Sequence, residues 1–183
     1  MSLLTNSPNT PHLLASFQSP FALHLILDYI PNGTLWDLLS SLPPPPTPSS
    51  PPPGLAEDDV RYWSLGIVDA LGWMHNHGWA HRDVKPQNLL IDGRGGGSRP
   101  RVLLTDFGSA AKVFREGGNK LARKDCLWPV GTPDYIAPEV LEASEEAMVR
   151  AEEEDEDVNE GTAADVEGSY GVDVDWWALG VII

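Results

Sequence analysis

Residues 81–88 read HRDVKPQN, and residues 106–108 read DFG. The carboxylate of Asp83 is able to accept the proton of an attacking hydroxyl group. Lys85, two residues later, is able to stabilise a phosphoryl group while it passes between two oxygens. The two motifs together, in this order, are far more specific than either one alone. They predict a phosphoryl-transfer site, and this site decides which fold the rest of the chain must form.

Two further side chains in these motifs are suited to a metal ion. Asn88 and Asp106 offer hard oxygen ligands, which Mg²⁺ prefers in proteins. Asp83 and Asn88 lie five residues apart, a spacing that brings two side chains together on a tight loop but not on a helix or a strand. We therefore expect Asn88 and Asp106 to bind Mg²⁺ beside Asp83.

The motifs resemble those of the protein kinases, and APE follows at residues 137–139. Lys85, two places after Asp83, is similar to the serine/threonine branch and not to the tyrosine branch. Three longer stretches resemble the AGC group, namely DFGSAAK at 106–112, PVGTPDYIAPEVL at 129–141 and YGVDVDWWALGV at 170–181. Within that group the chain is most similar to the citron, Rho-associated and myotonic-dystrophy kinase branch.

The resemblance implies an α+β fold of the protein-kinase type. Residues 12–33 would form strands of the small lobe and the hinge. Residues 34–183 would form part of the mainly helical large lobe, as far as the helix after the activation segment. The implied cofactors are ATP and Mg²⁺, and the implied partner is a protein substrate that presents serine or threonine. The alternative function is a non-catalytic, pseudokinase-like scaffold.

By the same resemblance, ATP would bind at the hinge. Leu27 would lie behind the adenine, the backbone of Asp28, Tyr29 and Ile30 would hydrogen-bond to it, and Leu90 would form the apolar floor. Further residues would support the catalytic loop (residues 81–88) and the activation segment (residues 106–139), namely His81, Arg82, Phe107, Gly108, Thr132, Glu139 and Asp175. The Asp175 carboxylate would do so by accepting backbone N–H bonds from the catalytic loop.

The composition predicts one intracellular domain. The chain has 183 residues, 42% of them apolar, which is enough for a core. Its net charge of −15 is local, because residues 142–167 hold twelve acids and one base, and this argues against nucleic-acid binding. The single cysteine, Cys126, cannot form an internal disulfide, and no apolar run is long enough to span a bilayer. A cytoplasmic location is therefore predicted.

Hydrophobic periodicity predicts the elements that carry the site. One long helix is predicted over residues 55–78, ended by Gly78, and a shorter one follows Pro31–Gly33. The buried stripe of the long helix is predicted to consist of Val60, Trp63, Ile67, Ala70, Leu71 and Met74. Strands are predicted at residues 13–17, 22–29, 89–92 and 102–105.

Three insertions interrupt this pattern. Residues 43–54 contain eight prolines, which predict an extended polyproline spacer. Residues 93–101 are predicted to form a glycine-rich turn, because their glycines lack the spacing of a phosphate-binding loop. Residues 142–167 are predicted to be a disordered acidic loop. The proline-rich and acidic segments could instead bind a partner protein.

A metal site formed by histidines is not expected. His75, His77 and His81 lie close together in the sequence, but no carboxylate or cysteine completes a ligand set around them. His81 is therefore expected to be structural.

The activation segment is not expected to be switched by phosphorylation. No serine, threonine or tyrosine occurs between Ala110 and Gly131, so Arg82 lacks the phosphorylated partner that it binds in many kinases. Packing of the apolar residues Leu127, Trp128 and Val130, or dimerisation, is expected to hold the segment instead.

Some kinase motifs are not found before the hinge. No glycine-rich phosphate loop and no VAIK lysine precede Leu27, and the chain ends within the helix that begins near Asp175. Glu139 would therefore lack the arginine with which it is usually paired. We expect a piece of a kinase domain that is inactive alone, since a misplacement of about 1 Å can cost on the order of 10²-fold in rate.

Overall fold

The computed structural model describes residues 7, 9–47, 50, 54–94, 99–115, 118–153 and 169–183. It contains helices and short antiparallel strands, which confirms the predicted α+β class. The helices are α1 (Leu35–Ser40), α2 (Glu57–Asn76), α3 (Pro138–Glu153) and α4 (Asp173–Ile182). The strands are β1 (Leu13–Gln18), β2 (Leu23–Leu27), β3 (Trp79–Ala80), β4 (Leu89–Asp92), β5 (Arg101–Leu104), β6 (Ala111–Phe114) and β7 (Lys120–Leu121). None of the helices in these ranges is long and apolar enough to cross a membrane.

The chain divides into two compact units. The first consists of Met1–Ala70 and Pro86–Thr105, and the second of Leu71–Lys85 and Asp106–Ile183. The predicted catalytic residues are thus divided between them, since Asn88 belongs to the first unit whereas Asp83, Lys85 and Asp106 belong to the second.

The first unit contains two antiparallel hairpins. Strands β1 and β2 pair from Gln18 opposite Leu23 to Leu13 opposite Leu27. Both faces of this hairpin are accessible to solvent, and Leu14 is 62% exposed. Strands β4 and β5 pair in regular register and are largely buried. The predicted strands therefore form, although β2 is shorter than expected.

The core of the second unit surrounds a small three-stranded sheet in the order β3, β6, β7. Strands of two to four residues carry little local signal, and the sequence did not predict this sheet. The buried cluster beside it consists of Ala80, Ala111, Val113, Leu121, Cys126, Ala137, Val140, Ala143, Tyr170 and Val174. It joins β3, which precedes the catalytic loop, to the activation segment and to helix α4.

Helix α2 forms where the periodicity predicted it. Its first turn holds Glu57, Asp58 and Asp59, which interact favourably with the positive end of the helix dipole. The helix ends before Gly78, whose φ of +78° favours a residue without a Cβ. Every predicted stripe residue except Val60 is buried. The buried residues are Trp63, Ile67, Ala70, Leu71 and Met74.

The prediction of a disordered acidic loop from Glu142 onward is wrong for residues 142–153, because helix α3 extends through Glu153. Pro138 begins this helix, a position where its missing N–H is harmless. Val140, Ala143 and Ala147 form a buried stripe, while glutamate and alanine have high helix propensity. The acidic composition of this segment suggested disorder, but the helical spacing of its buried apolar residues favours a helix. Residues 154–167 of the predicted loop lie outside the described residues.

The other two insertions are described only in part. Of the predicted polyproline spacer, residues 43–47, 50 and 54 are described, and they form neither helix nor strand. Its other residues lie outside the described ranges. In the glycine-rich turn, residues 93–94 and 99–100 lie outside strands, whereas Arg101 already belongs to β5. Residues 95–98 lie outside the described residues.

The turn between β4 and β5 is closed by a buried carboxylate. Asp92 is 4% exposed and accepts hydrogen bonds from the guanidinium groups of Arg94, at 2.8 Å, and Arg101, at 3.1 Å. These bonds, that of Arg94 above all, lower the pKa of Asp92 to about 2 despite its burial. The charged form of Asp92 therefore stabilises the fold.

We predict that Asp92→Asn destabilises the protein by about 2 kcal/mol at pH 7, since each unit of pKa shift corresponds to about 1.4 kcal/mol. The pKa of the folded state lies below that of the unfolded state, so this stabilisation is present above pH 4 and is lost as the pH falls towards 2. Urea unfolding at pH 7 and pH 2.5 measures both values. Asp69→Asn, at an exposed position on α2, is the control, and equal destabilisation by Asp92→Asn at both pH values would contradict the prediction.

Candidate active site

The loop after β3 has a strained backbone. β3 ends at Ala80, and Arg82 adopts a φ of +68°, which is unfavourable for a residue with a long side chain. Such a conformation persists only when the surrounding structure holds it in place. The residue that follows is Asp83, so the direction of its side chain depends on this backbone.

Asp175, on α4, holds this loop. Its carboxylate is 1% exposed and accepts the backbone N–H of His81 at 2.8 Å and that of Arg82 at 2.7 Å. It also contacts the imidazole Nε2 of His75, on α2, at 2.7 Å. The negative charge is thus satisfied inside the core by three polar groups, and the loop is tied to two helices of the second unit.

The contact of His75 was not predicted from the sequence, because Asp175 lies beside it in the fold but one hundred residues away in the chain. His77 stacks on Trp73 of the preceding turn, with ring centroids 3.9 Å apart. The ring of His81 packs edge-on against Phe107. Within the described ranges, no group of three histidine, cysteine or acidic side chains could hold a metal ion.

Asp83, Lys85 and Thr132 form a closed triangle of polar contacts. The Lys85 ammonium lies 2.7 Å from Asp83 Oδ2 and donates to Thr132 Oγ1 at 2.8 Å. The Thr132 hydroxyl donates to Asp83 Oδ1, also at 2.8 Å. Both oxygens of the carboxylate are therefore oriented, and the positive charge of Lys85 is held beside them.

A glycine permits this triangle. Gly131 has a φ of +121°, and a Cβ built on it would lie 2.8 Å from the carbonyl oxygen of Arg82. A side chain at this position would push the activation segment away from the catalytic loop. Only glycine allows the close approach that brings Thr132 to Asp83.

The DFG residues form a tight turn at the start of the activation segment. Asp106 has a φ of +62°, and its carboxylate accepts the backbone N–H of Gly108 at 3.3 Å. The side chain of Asp106 is exposed, so its other oxygen positions remain open to a cation. Phe107 is anchored by its contact with His81, with ring centroids 5.5 Å apart.

The predicted Asn88 and the predicted hinge residues belong to the first unit. Asn88 is 5% exposed, and its backbone carbonyl accepts the N–H of Thr105 at 2.9 Å, at the open end of the β4–β5 hairpin. Leu90 forms an isolated bridge with Thr34, the N-cap of α1. This bridge connects the segment after the hinge to the strand that carries Leu90.

The hinge residues differ widely in exposure. Leu27 is 37% exposed and Tyr29 is 82% exposed, whereas Ile30 is 6% exposed. The N–H of Asp28 donates to the carbonyl of His12 at 3.0 Å, and its carboxylate lies 2.9 Å from the ring of His12. The Asp28 N–H is therefore occupied within the hairpin.

A small cleft of about 10 Å³, roughly the space of one water molecule, lies beside Asp83 and Thr132 in the second unit. Its walls include the apolar side chains of Val130 and Ile136 and the ring of Tyr135. The cleft therefore places apolar surface beside the carboxylate of Asp83.

Comparison with known proteins gives a consistent result. The family model for the protein kinase domain matches residues 1–157. Citron rho-interacting kinase of Rattus norvegicus is 35% identical over 178 residues, Rho-associated protein kinase let-502 of Caenorhabditis briggsae is 34% identical, and Rho-associated protein kinase 1 of Homo sapiens is 33% identical. Each alignment covers 97% of this chain but only 7%, 12% and 10% of the respective relative. The matches confirm the predicted resemblance to this branch.

We predict that Asp175→Asn destabilises the protein by about 3 kcal/mol, because an amide group would place N–H donors against the donors of the catalytic loop. Asp173→Asn, two residues earlier on α4, is the matched control, since Asp173 is exposed and its substitution should change stability by less than about 0.5 kcal/mol. Chemical unfolding of both variants measures the difference. Equal stability of the two variants would show that Asp175 does not hold the loop.

Proposed function

This chain belongs to the protein kinase domain family, and from that premise we propose that the protein carrying it is a serine/threonine protein kinase. Because the chain spans 7% to 12% of the length of the curated relatives that it matches, the activity of the whole protein is part of the proposal. The observation that carries it is the triangle of Asp83, Lys85 and Thr132. The substrates would be ATP and a protein that presents a serine or threonine hydroxyl.

In this proposal Asp83 is the base. Thr132 and Lys85 hold its two oxygens in place, and a carboxylate is a group that can accept the proton of a substrate hydroxyl. Lys85 has three N–H donors, of which two contact Thr132 and Asp83. The third can donate to an oxygen of the transferred phosphoryl group, where negative charge must be stabilised.

Asn88 and Asp106 are the proposed ligands of Mg²⁺. An amide oxygen and a carboxylate are hard oxygen donors, which fit this ion, and Asp106 is exposed and uses one oxygen for the turn. When bound, Mg²⁺ supplies positive charge that neutralises the phosphates of ATP. Each proposed ligand is placed by its own unit, Asn88 at the start of the β4–β5 hairpin and Asp106 in the DFG turn.

The adenine is proposed to bind along Leu27–Ile30, with Leu90 beneath it. Ile30 is buried and Tyr29 is exposed, so backbone groups rather than these two side chains would contact the base. The Asp28 carbonyl is the proposed acceptor, because the N–H of that residue is occupied by His12. Cys126 is a buried free thiol, which suits the reducing cytoplasm that we propose as the location.

We predict that Asp83→Asn lowers kcat of the full-length protein by on the order of 10²- to 10⁴-fold, since the amide cannot accept the proton. The KM for ATP should stay within about twofold, because the base does not bind the nucleotide. The measurement is transfer of radioactive phosphate from ATP with Mg²⁺ to a basic peptide that contains serine. Asp69→Asn, exposed on α2, is the control and should keep full activity.

Two outcomes would count against the enzyme. If the full-length protein transfers no phosphate above the Asp83→Asn level, a non-catalytic scaffold becomes the better proposal. Residues 1–183 assayed alone should also stay at that level, because a phosphate-anchoring loop and lysine are not found in them. Turnover by this segment alone would show that those motifs are dispensable.

The activity is proposed not to depend on phosphorylation of the activation segment, because no acceptor residue occurs between Ala110 and Gly131. The expected packing of Trp128 is wrong, since this side chain is 71% exposed. Leu127 and Val130 are partly buried, so packing of these two side chains, or dimerisation, remains part of the proposal.

We predict that phosphatase treatment of the full-length protein leaves its rate of phosphate transfer unchanged, because no serine, threonine or tyrosine occurs between Ala110 and Gly131. The assay is repeated on treated and mock-treated protein, with mass spectrometry to verify that phosphate has been removed. Loss of activity traced to a modified residue between Ala110 and Gly131 would contradict the prediction.

A further inference from the structure

The side chain of Arg82 connects three separate parts of the second unit. Its Nε donates to the carbonyl of Ser109, in the DFG turn, at 2.6 Å. Its Nη1 donates to the carbonyl of Asp125, in the middle of the activation segment, at 2.7 Å. The same nitrogen donates to the hydroxyl of Tyr170, just before α4, at 3.2 Å. In the described residues, the side-chain hydrogen bonds of Arg82 thus go to neutral oxygens.

The hydroxyl of Tyr170 is placed by the fold. The residue is 3% exposed and belongs to the buried cluster of the second unit. Its backbone carbonyl accepts the N–H of Leu121 in β7 at 2.9 Å, and the next residue, Gly171, bridges to Lys120. A Cβ on Gly171 would lie 2.8 Å from the carbonyl oxygen of Asn119, so this close pairing requires glycine. The ring is therefore fixed with its hydroxyl at the guanidinium.

The chemistry of this pair suits a permanent contact. Burial raises the pKa of Tyr170 above its ordinary value, so the side chain is an uncharged phenol at neutral pH. A phenol oxygen can accept from Arg82 and still donate its own proton. A hydrogen bond to a charged group is stronger than one between neutral groups.

The contact matters because the backbone of Arg82 is strained. Its φ of +68° is held from one side by Asp175, through the N–H, and from the other side by the anchored guanidinium. Release of either anchor allows the backbone to relax towards a more favourable conformation. Because Asp83 follows directly, such relaxation would turn its carboxylate away from Lys85 and Thr132.

We propose that Tyr170 is a positioning residue for Asp83 and acts through Arg82. The inference rests on the proposed function, since it assigns a role within that reaction. It also identifies a contact that orders the activation segment without a phosphate group. The hydroxyl of Tyr170 lies inside the fold and is available whenever the second unit is folded.

The first test is the conservative variant Tyr170→Phe, which keeps the ring in the core and removes the hydroxyl. In the full-length protein kcat should fall about tenfold, the size expected for one hydrogen bond to a charged group. The KM for ATP should change less than about twofold, because the nucleotide is not contacted. Tyr62→Phe, on the exposed face of α2, is the matched control and should leave both constants unchanged. An unchanged kcat in Tyr170→Phe would overturn the proposal.

A double variant tests whether the effect passes through Arg82. Arg82→Lys keeps the positive charge but cannot make the forked contacts to Ser109, Asp125 and Tyr170. If Tyr170 acts through Arg82, adding Tyr170→Phe to Arg82→Lys should lower kcat by less than about twofold further. A further tenfold loss would show that Tyr170 acts by another route and would overturn the proposal.

A measurement without catalysis separates this inference from the proposed function. Hydrogen–deuterium exchange of the full-length protein should show about three- to tenfold faster exchange at the amides of His81 and Arg82 in Tyr170→Phe, and also in Arg82→Lys, with no change in the β4–β5 hairpin. Faster exchange there in a protein that transfers no phosphate would mean that the proposed function has failed and the positioning contact stands. Unchanged exchange in both variants would overturn the inference itself.

Discussion

The second unit depends on one buried carboxylate. Asp175 is almost inaccessible, and a negative charge in such a position is unfavourable unless polar groups surround it. It receives the backbone N–H groups of His81 and Arg82 and contacts the ring of His75. These contacts require α4, the last turns of α2 and the catalytic loop to form together. The position of Asp83 is therefore a consequence of core assembly and not of the loop sequence alone.

The local sequence pattern was sufficient to predict the helices and strands whose buried residues recur at a regular interval. The stripe of α2 and the pairing of β4 with β5 follow from apolar residues at helical spacing or in short runs. The start of α1 is also local, since the side chain of Thr34 caps the N–H of Asp37 while the Asp37 carboxylate accepts the N–H of Thr34. In each case the residues that determine the structure lie within a few positions of one another.

Contacts between distant residues were not accessible in the same way. The pairing of His75 with Asp175 joins positions one hundred residues apart, and no spacing rule connects them. The sheet of β3, β6 and β7 is built from strands too short to show alternation. Helix α3 was missed for a different reason. A segment rich in glutamate has the composition of a disordered region, but glutamate also has high helix propensity, and a helix forms when an apolar stripe is present.

Asp83 and Lys85 were identified as candidate catalytic residues from their motif, but the geometry between them depends on contacts that the motif does not contain. Spacing alone indicates that Asp83 and Lys85 share a loop, whereas the role of Gly131 depends on the approach of another segment to the Arg82 carbonyl. Arg82 donates a hydrogen bond to Tyr170, which lies 88 residues later in the sequence and follows the acid-rich stretch of residues 142–167. Only the folded chain brings these groups together.

The strained backbone positions of the second unit coincide with the contacts that order the activation segment, although no serine, threonine or tyrosine occurs between Ala110 and Gly131. In the described residues, the non-glycine positions with positive φ are Arg82, Asp106 and Asn119. Each is adjacent to a contact that holds the segment: Arg82 binds the carbonyl of Asp125, Asp106 begins the DFG turn, and the Asn119 carbonyl lies against Gly171. Unfavourable backbone conformations are retained where several neighbouring contacts determine them. The segment is therefore ordered by side chains and backbone groups that the fold already places around it.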